Sequence, residues 1–211
     1  PVLEGDLPQE LPVEGTLMPD TYKFSRGTKR ADILQQMLNA QKNLVDQIWA
    51  RRDEGLPVTT REDFVTLASI VEKETGRADE RPRVASVFIN RLEKGMRLQS
   101  DPTIIYGIFG GDGKPSDRPI YQSDLEKQTP YNTYIIRGLP PTPIANPGRA
   151  ALEAVANPSR TPDLYFVADG TGGHVFAETL DEHNQNVRRW RKLEAEKAAA
   201  AAKEAESGTA Q

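Results

Sequence analysis

The chain has 211 residues, 37% of them hydrophobic and 27% charged, an ordinary globular composition with room for one large domain or two small ones. Its 27 basic and 31 acidic residues give a net charge of -4 with no basic block, so the electrostatic footprint of a nucleic-acid partner is missing. Cysteine is absent, which excludes disulfides, thiolate nucleophiles and thiolate metal sites, and no run approaches the ~18 apolar residues of a membrane span.

Residues 1–16, PVLEGDLPQELPVEGT, mix Pro, Glu and Gly without periodicity and read as a linker or lead-in in which little chemistry is expected. The start at Pro1, without an initiator Met or a signal pattern, reads as an excised fragment or a mature form. Thr28 is a plausible cap for a helix from about Lys29 to Arg52, whose apolar positions Ile33, Met37, Leu38, Leu44, Val45, Ile48 and Trp49 recur at three and four residues. Gly55 and Pro57 stop it. Thr60 and Asp63 resemble a capping box opening a second helix, which Gly76 ends; Pro82 opens a third, with Val84, Val87, Phe88 and Leu92 on its stripe and Gly95 closing it. These two helices make a helical hairpin.

From Met96 to Pro147 the chain turns irregular, with short β-prone runs at Thr103–Tyr106 and Thr133–Ile136. A short helix, Arg149 to Ala156, precedes a hairpin built from the runs 164–168 and 174–177 around an Asp/Gly turn. Thr179 caps a last helix, and residues 194–211 form an Ala/Glu/Lys-rich tail, a frayed helix or disordered. The fold class is α+β, a helical hairpin and flanking helices packed on small, mostly antiparallel β elements. Residues 17–193 are the functional region.

Few constellations carry chemistry. His174 and His183 stand nine residues apart without a metal-ligand spacing, so no metal is expected, and the GTGG turn at 170–173 is a hairpin loop rather than a phosphate cradle. No GxSxG elbow is present. Carboxylate chemistry remains. On a 100° wheel Phe64, Leu67, Ala68, Val71 and Thr75 form one stripe, with Glu72 and Glu74 on its opposite margins and Lys73 pointing away. Partial desolvation at such a margin raises a carboxyl toward the acidity a general acid needs, and the pattern does not rank the two. The hairpin packing expects the Glu72 edge to face a groove with Asn90 and Arg91 near its mouth. Tyr, Asn, Thr and Asp cluster between 100 and 134, the side chains that cover sugar faces and bond hydroxyls.

The segments LASIVEKET at 67–75, VASVFINRL at 84–92, MRLQSDPTIIYG at 96–107, YNTY at 131–134, GLPPTPIANPG at 138–148 and LYFVADGTGGHVF at 164–176 resemble the MltG (YceG-like) endolytic murein transglycosylases. EGTLMPDTYKF and EHN at 182–184 match as well, so the resemblance runs in order from about residue 14 to 190. It implies a lyase that cuts the β-1,4 bond between N-acetylmuramic acid and N-acetylglucosamine inside glycan strands, leaves a 1,6-anhydro end, uses no cofactor, and helps set strand length during cell wall synthesis. The matched segment SIVEKET is taken to put the catalytic glutamate at Glu72, general acid then base. Ser100, Asp101, Thr103, Tyr106, Tyr131, Asn132 and Tyr134 are the candidate substrate-binding residues. The resemblance further implies peptidoglycan as partner, peptidoglycan synthases beside it, and a catalytic region in the periplasm of a bacterium, attached to the inner membrane through an N-terminal helix that this sequence does not include. A hydrolytic muramidase and a non-catalytic peptidoglycan-binding or scaffold module are the alternatives.

Overall fold

Two stretches of apolar periodicity, one on each side of Gly55, set up the core of the first of two units, residues 1–160 and 161–211. The computed structural model describes residues 2–208, with side chains through residue 200. In the first unit α1 (Arg30–Trp49) turns Leu44, Val45, Ile48 and Trp49 inward. It meets α2 (Arg61–Glu74) at Trp49 and Phe64, whose rings stand edge to face with centroids 5.5 Å apart. α2 begins as its sequence predicts, Thr60 Oγ1 accepting from the Asp63 amide at 3.1 Å. Every residue from Phe64 to Val71 is buried, so α2 is a central helix and not an amphipathic surface one.

α3 (Arg81–Glu93) carries Pro82 in its first turn and ends ahead of Gly95, which sits at φ +65° as a helix stop requires. α2 and α3 pack on each other, yet both pack more extensively on α6 (Arg149–Ala156). Ala151, Ala154 and Ala156 let that helix approach closely, and Leu152 and Val155 fill the space between. Between α3 and α6 lie α4 (Asp101–Phe109), a 3-10 turn at 110–112, and the four-residue α5 (Gln122–Leu125).

Two β-prone runs turn out otherwise. Thr103–Tyr106 lies inside α4, started by Pro102 in its first turn and by Thr103 Oγ1 donating to the Ser100 carbonyl at 2.6 Å. Residues 133–136 are turn, since Ile135 and Ile136 both donate backward to the Asn132 carbonyl. Tertiary context has overridden local β propensity at both places.

In the second unit β1 (Tyr165–Ala168) pairs antiparallel with β2 (His174–Ala177), Phe166 opposite Phe176, around a turn whose amides at Thr171 and Gly173 donate to Asp169 Oδ1. α7 (Leu180–Gly208) packs on this hairpin, and its start is a reciprocal cap: Glu182 donates to Thr179 Oγ1 and Thr179 to Glu182 Oε2, each at 3.2 Å. The architecture is α+β. The tail assigned to 194–211 continues α7 through residue 208, and its last three residues lie outside the described ones.

Candidate functional site

The last turn of α2 holds the two carboxylates whose ranking the sequence left open, and each addresses the start of a different helix. Glu72 Oε2 accepts from the backbone amide of Gly148, the N-cap of α6, at 3.0 Å. This bond ties the last turn of α2 to the start of α6. Glu74 turns the other way, toward Ser100, the N-cap of α4, whose hydroxyl donates to Glu74 Oε1 at 2.5 Å.

Glu74 is pushed up to about 7 from an ordinary 4.5, first by desolvation. The Ser100 hydrogen bond acts against this, the Asp101 charge adds to it, and the Arg91 charge subtracts. Its position at the C-terminal end of α2, where the helix dipole is negative, favours the neutral acid too. Around pH 7 this group therefore holds a proton about half the time, the state a general acid with a later base role requires.

Backbone geometry brings Ser100 to that place. Gln99, with φ +52°, is a left-handed residue other than glycine, and it reverses the chain between α3 and α4. Arg91 of α3, buried, grips the turn by donating to the Leu98 carbonyl at 2.7 Å and, at longer range, to the Arg97 carbonyl and Gln99 Oε1. The Ser100 amide donates to Thr133 Oγ1 at 2.9 Å, and Thr133 and Thr103 share a hydrogen bond of 2.8 Å behind it. Arg91 thus serves the Glu74 side, not the Glu72 edge beside which the sequence expected it. At the mouth, the exposed Asp101 accepts from the Tyr134 hydroxyl at 2.7 Å.

Of the residues expected to bind substrate, Ser100, Asp101 and Tyr134 gather at Glu74, with Thr103 one layer behind. Tyr106 and Tyr131 pair with each other, edge to face at 4.7 Å, with the Tyr131 hydroxyl and Thr142 Oγ1 2.7 Å apart. Glu14 joins them and, after burial, is the next cause holding the Tyr106 hydroxyl above its usual range. Asn132 is fully buried, and its side-chain amide donates to the Leu125 and Lys127 carbonyls at 3.0 and 2.8 Å while Oδ1 accepts from the Tyr134 amide, so it braces the loop that carries Tyr134.

The sequence passed over the residues that fix the 138–148 loop against α2. Ile144 donates to Ser69 Oγ at 3.0 Å. Asn146 Oδ1 accepts from the Gly15 and Leu17 amides at 2.8 and 3.0 Å, and Gln41 Nε2 donates to the Gly15 and Pro147 carbonyls at 3.2 and 3.0 Å. The lead-in is therefore part of this structure. Gln41 had a legible signal, a polar residue on the apolar stripe between Met37 and Leu44, and it is only 2% exposed. A cavity of about 470 Å³ bordered by Gly15, Gln41, Val65 and Pro143 lies toward the other end of α2, away from both carboxylates. Among the described residues no cluster of three or more His, Asp or Glu is placed to hold a metal ion, and no helix is long and apolar enough to cross a membrane.

The sequence profile of the YceG-like family matches residues 4–189. The chain belongs to the YceG-like family. It is similar to the endolytic murein transglycosylase of Bacillus subtilis strain 168, 39% identical over 180 residues that make up 85% of this chain and 48% of the relative. The Streptococcus pneumoniae D39 endolytic murein transglycosylase is 35% identical over 179 residues, 83% of this chain and 32% of that protein. A crystal structure of the YceG-like protein lmo1499 from Listeria monocytogenes superposes with a TM-score of 0.69 at 37% identity, covering 81% of this chain and 54% of that one. The chain thus spans about half or less of the length of these YceG-like relatives.

Proposed function

We propose that this chain carries the catalytic part of a lytic transglycosylase acting on peptidoglycan, with Glu74 as the group that moves the proton. The observation that supports it most directly is the Glu74–Ser100 pair: a half-buried carboxyl whose affinity for its proton is raised to about 7. Glu72, the residue to which the resemblance assigns the role, is tied to the Gly148 amide and suits an anchor for the loop that starts α6. Position favours Glu74.

In this reading the Glu74 acid passes its proton to the glycosidic oxygen as the C1–O bond of N-acetylmuramic acid breaks, freeing the 4-hydroxyl of N-acetylglucosamine. The Glu74 carboxylate then takes the proton of the muramic C6 hydroxyl as O6 bonds to C1. The acid is restored, no water is consumed, and the product ends in 1,6-anhydro-N-acetylmuramic acid. One carboxyl suffices because the nucleophile is part of the substrate, already at high effective concentration. The Tyr106–Tyr131 pair offers faces and edges for sugar rings. Cleavage inside strands, a part in setting strand length, synthases as neighbours and a periplasmic location at the inner membrane are carried by the family resemblance.

Glu74→Gln and Glu72→Gln variants, incubated with glycan strands and followed by mass spectrometry, test the reading. Anhydro ends are lost in Glu74→Gln and retained at a reduced rate in Glu72→Gln. The reverse pattern would overturn the assignment of the acid. Reducing ends in place of anhydro ends would indicate a muramidase, with Asp101 as its second carboxylate, and glycan binding without cleavage would indicate a scaffold module.

A further inference from the structure

The charged and titratable groups facing Glu74 come from three directions: Arg91 on α3, Asp101 at the first position of α4, and Tyr134 on the loop after α5. Ser100 completes the shell with a neutral hydroxyl. Arg91 and Ser100 both favour the ionised carboxylate, and among these side chains Asp101 opposes them. Asp101 does not stand loose at the surface. The Tyr134 hydroxyl donates to its Oδ1 at 2.7 Å, and Tyr134 is in turn fixed by its amide on Asn132 Oδ1 at 3.0 Å. Burial first, and then the charge of Asp101, keep the Tyr134 hydroxyl protonated far above neutral pH, so this hydrogen bond has one direction throughout the working range.

We propose that Asp101, anchored by the Tyr134 hydroxyl, is a positioning residue that keeps Glu74 in its acid form between turnovers. Without it, burial alone would hold the proton against the pull of the Ser100 hydrogen bond and of Arg91, and a smaller share of the protein would meet a glycan in the acid form. The inference rests on Glu74 being the acid, but the proton on Glu74 is measurable without any substrate. Because Asp101 is exposed, its influence weakens as salt screens it.

The full chain, labelled with carboxyl-13C glutamate, is titrated by NMR as wild type, Asp101→Asn and Asp101→Glu, with Glu74→Gln identifying the signal. In the wild type the midpoint lies near 7. In Asp101→Asn it falls to lower pH, and in Asp101→Glu, which keeps the charge, most of it returns. The alkaline limb of the rate profile moves with it: relative to wild type, Asp101→Asn loses about three- to tenfold more rate at pH 8 than at pH 5.5, a difference that shrinks in high salt. An unchanged midpoint in Asp101→Asn, or an equal fall in Asp101→Glu, overturns the inference. If Glu74→Gln still makes anhydro ends, the catalytic reading fails while the NMR result stands by itself.

Discussion

A carboxyl kept neutral inside a protein destabilises the fold wherever solution would ionise it, and Glu74 makes this measurable without any glycan. The folded state holds the Glu74 proton up to about pH 7, the unfolded chain only to about 4.5. Between those limits the native state binds more protons, so stability falls as pH rises, and above 7 the full deficit is present. At 1.36 kcal/mol per pH unit the interval corresponds to roughly 3 kcal/mol, which partial exposure of the side chain reduces to about 1–2 kcal/mol. Gln at this position has the same shape, cannot ionise and can still accept from Ser100. Glu74→Gln should therefore raise the midpoint of thermal unfolding at pH 8 by about 2–8 °C. The gain should shrink steeply toward pH 4.5, where Glu is neutral in the folded state and half ionised in the unfolded one, and vanish about a pH unit lower. Paired urea and thermal melts from pH 4.5 to 8 provide the assay, and subtracting the variant from the wild type cancels the other titrating groups. A variant no more stable than wild type at pH 8, or a gain independent of pH, would refute the buried-acid account.

Gly15→Ala places a Cβ 2.6 Å from Pro143 Cγ on a backbone at φ +88°, and thermal melts should show a loss of about 1–3 kcal/mol. Gln41→Leu keeps the volume but removes the donor from the buried Gly15 and Pro147 carbonyls; it should cost about 1–3 kcal/mol in urea unfolding and speed amide exchange at Gly148 more than in α3.

α2, α3 and the β1–β2 hairpin were legible because local signals agreed at each: Thr60 ahead of Asp63, Pro82, Gly95, the runs on either side of the Asp169 turn; α1 was legible from its apolar period, while its N-cap falls on Lys29 and not on Thr28. α4 was misread because Thr103, Ile104, Ile105 and Tyr106 favour strands locally, and what makes them helical is Pro102 together with the hydroxyl bonds among Ser100, Thr103 and Thr133. α6 was placed as a helix with its observed bounds, Arg149 to Ala156, but its central packing role was not legible, since its alanines signal little by themselves; their value lies in how closely α2 and α3 can approach. The wheel placed Glu72 and Glu74 symmetrically. Their chemistry differs through partners 76 and 26 residues away, a distance over which no periodicity speaks.

The bonds from Asn146 to the lead-in close a span of 131 residues, and the Glu72–Gly148 bond one of 76. Contacts of such separation repay their loop-closure cost only after the segments between them are in place, so they belong to the late steps of folding. The helix bearing Glu74 can form early from local caps and apolar burial, whereas the loop that restrains its last turn must wait for residue 146 to meet residue 15 and for residue 148 to meet residue 72. A growing chain therefore passes through a stage in which the α2 carboxylates exist without their setting. Competence arrives with the closure of the first unit and not with the synthesis of its central helix.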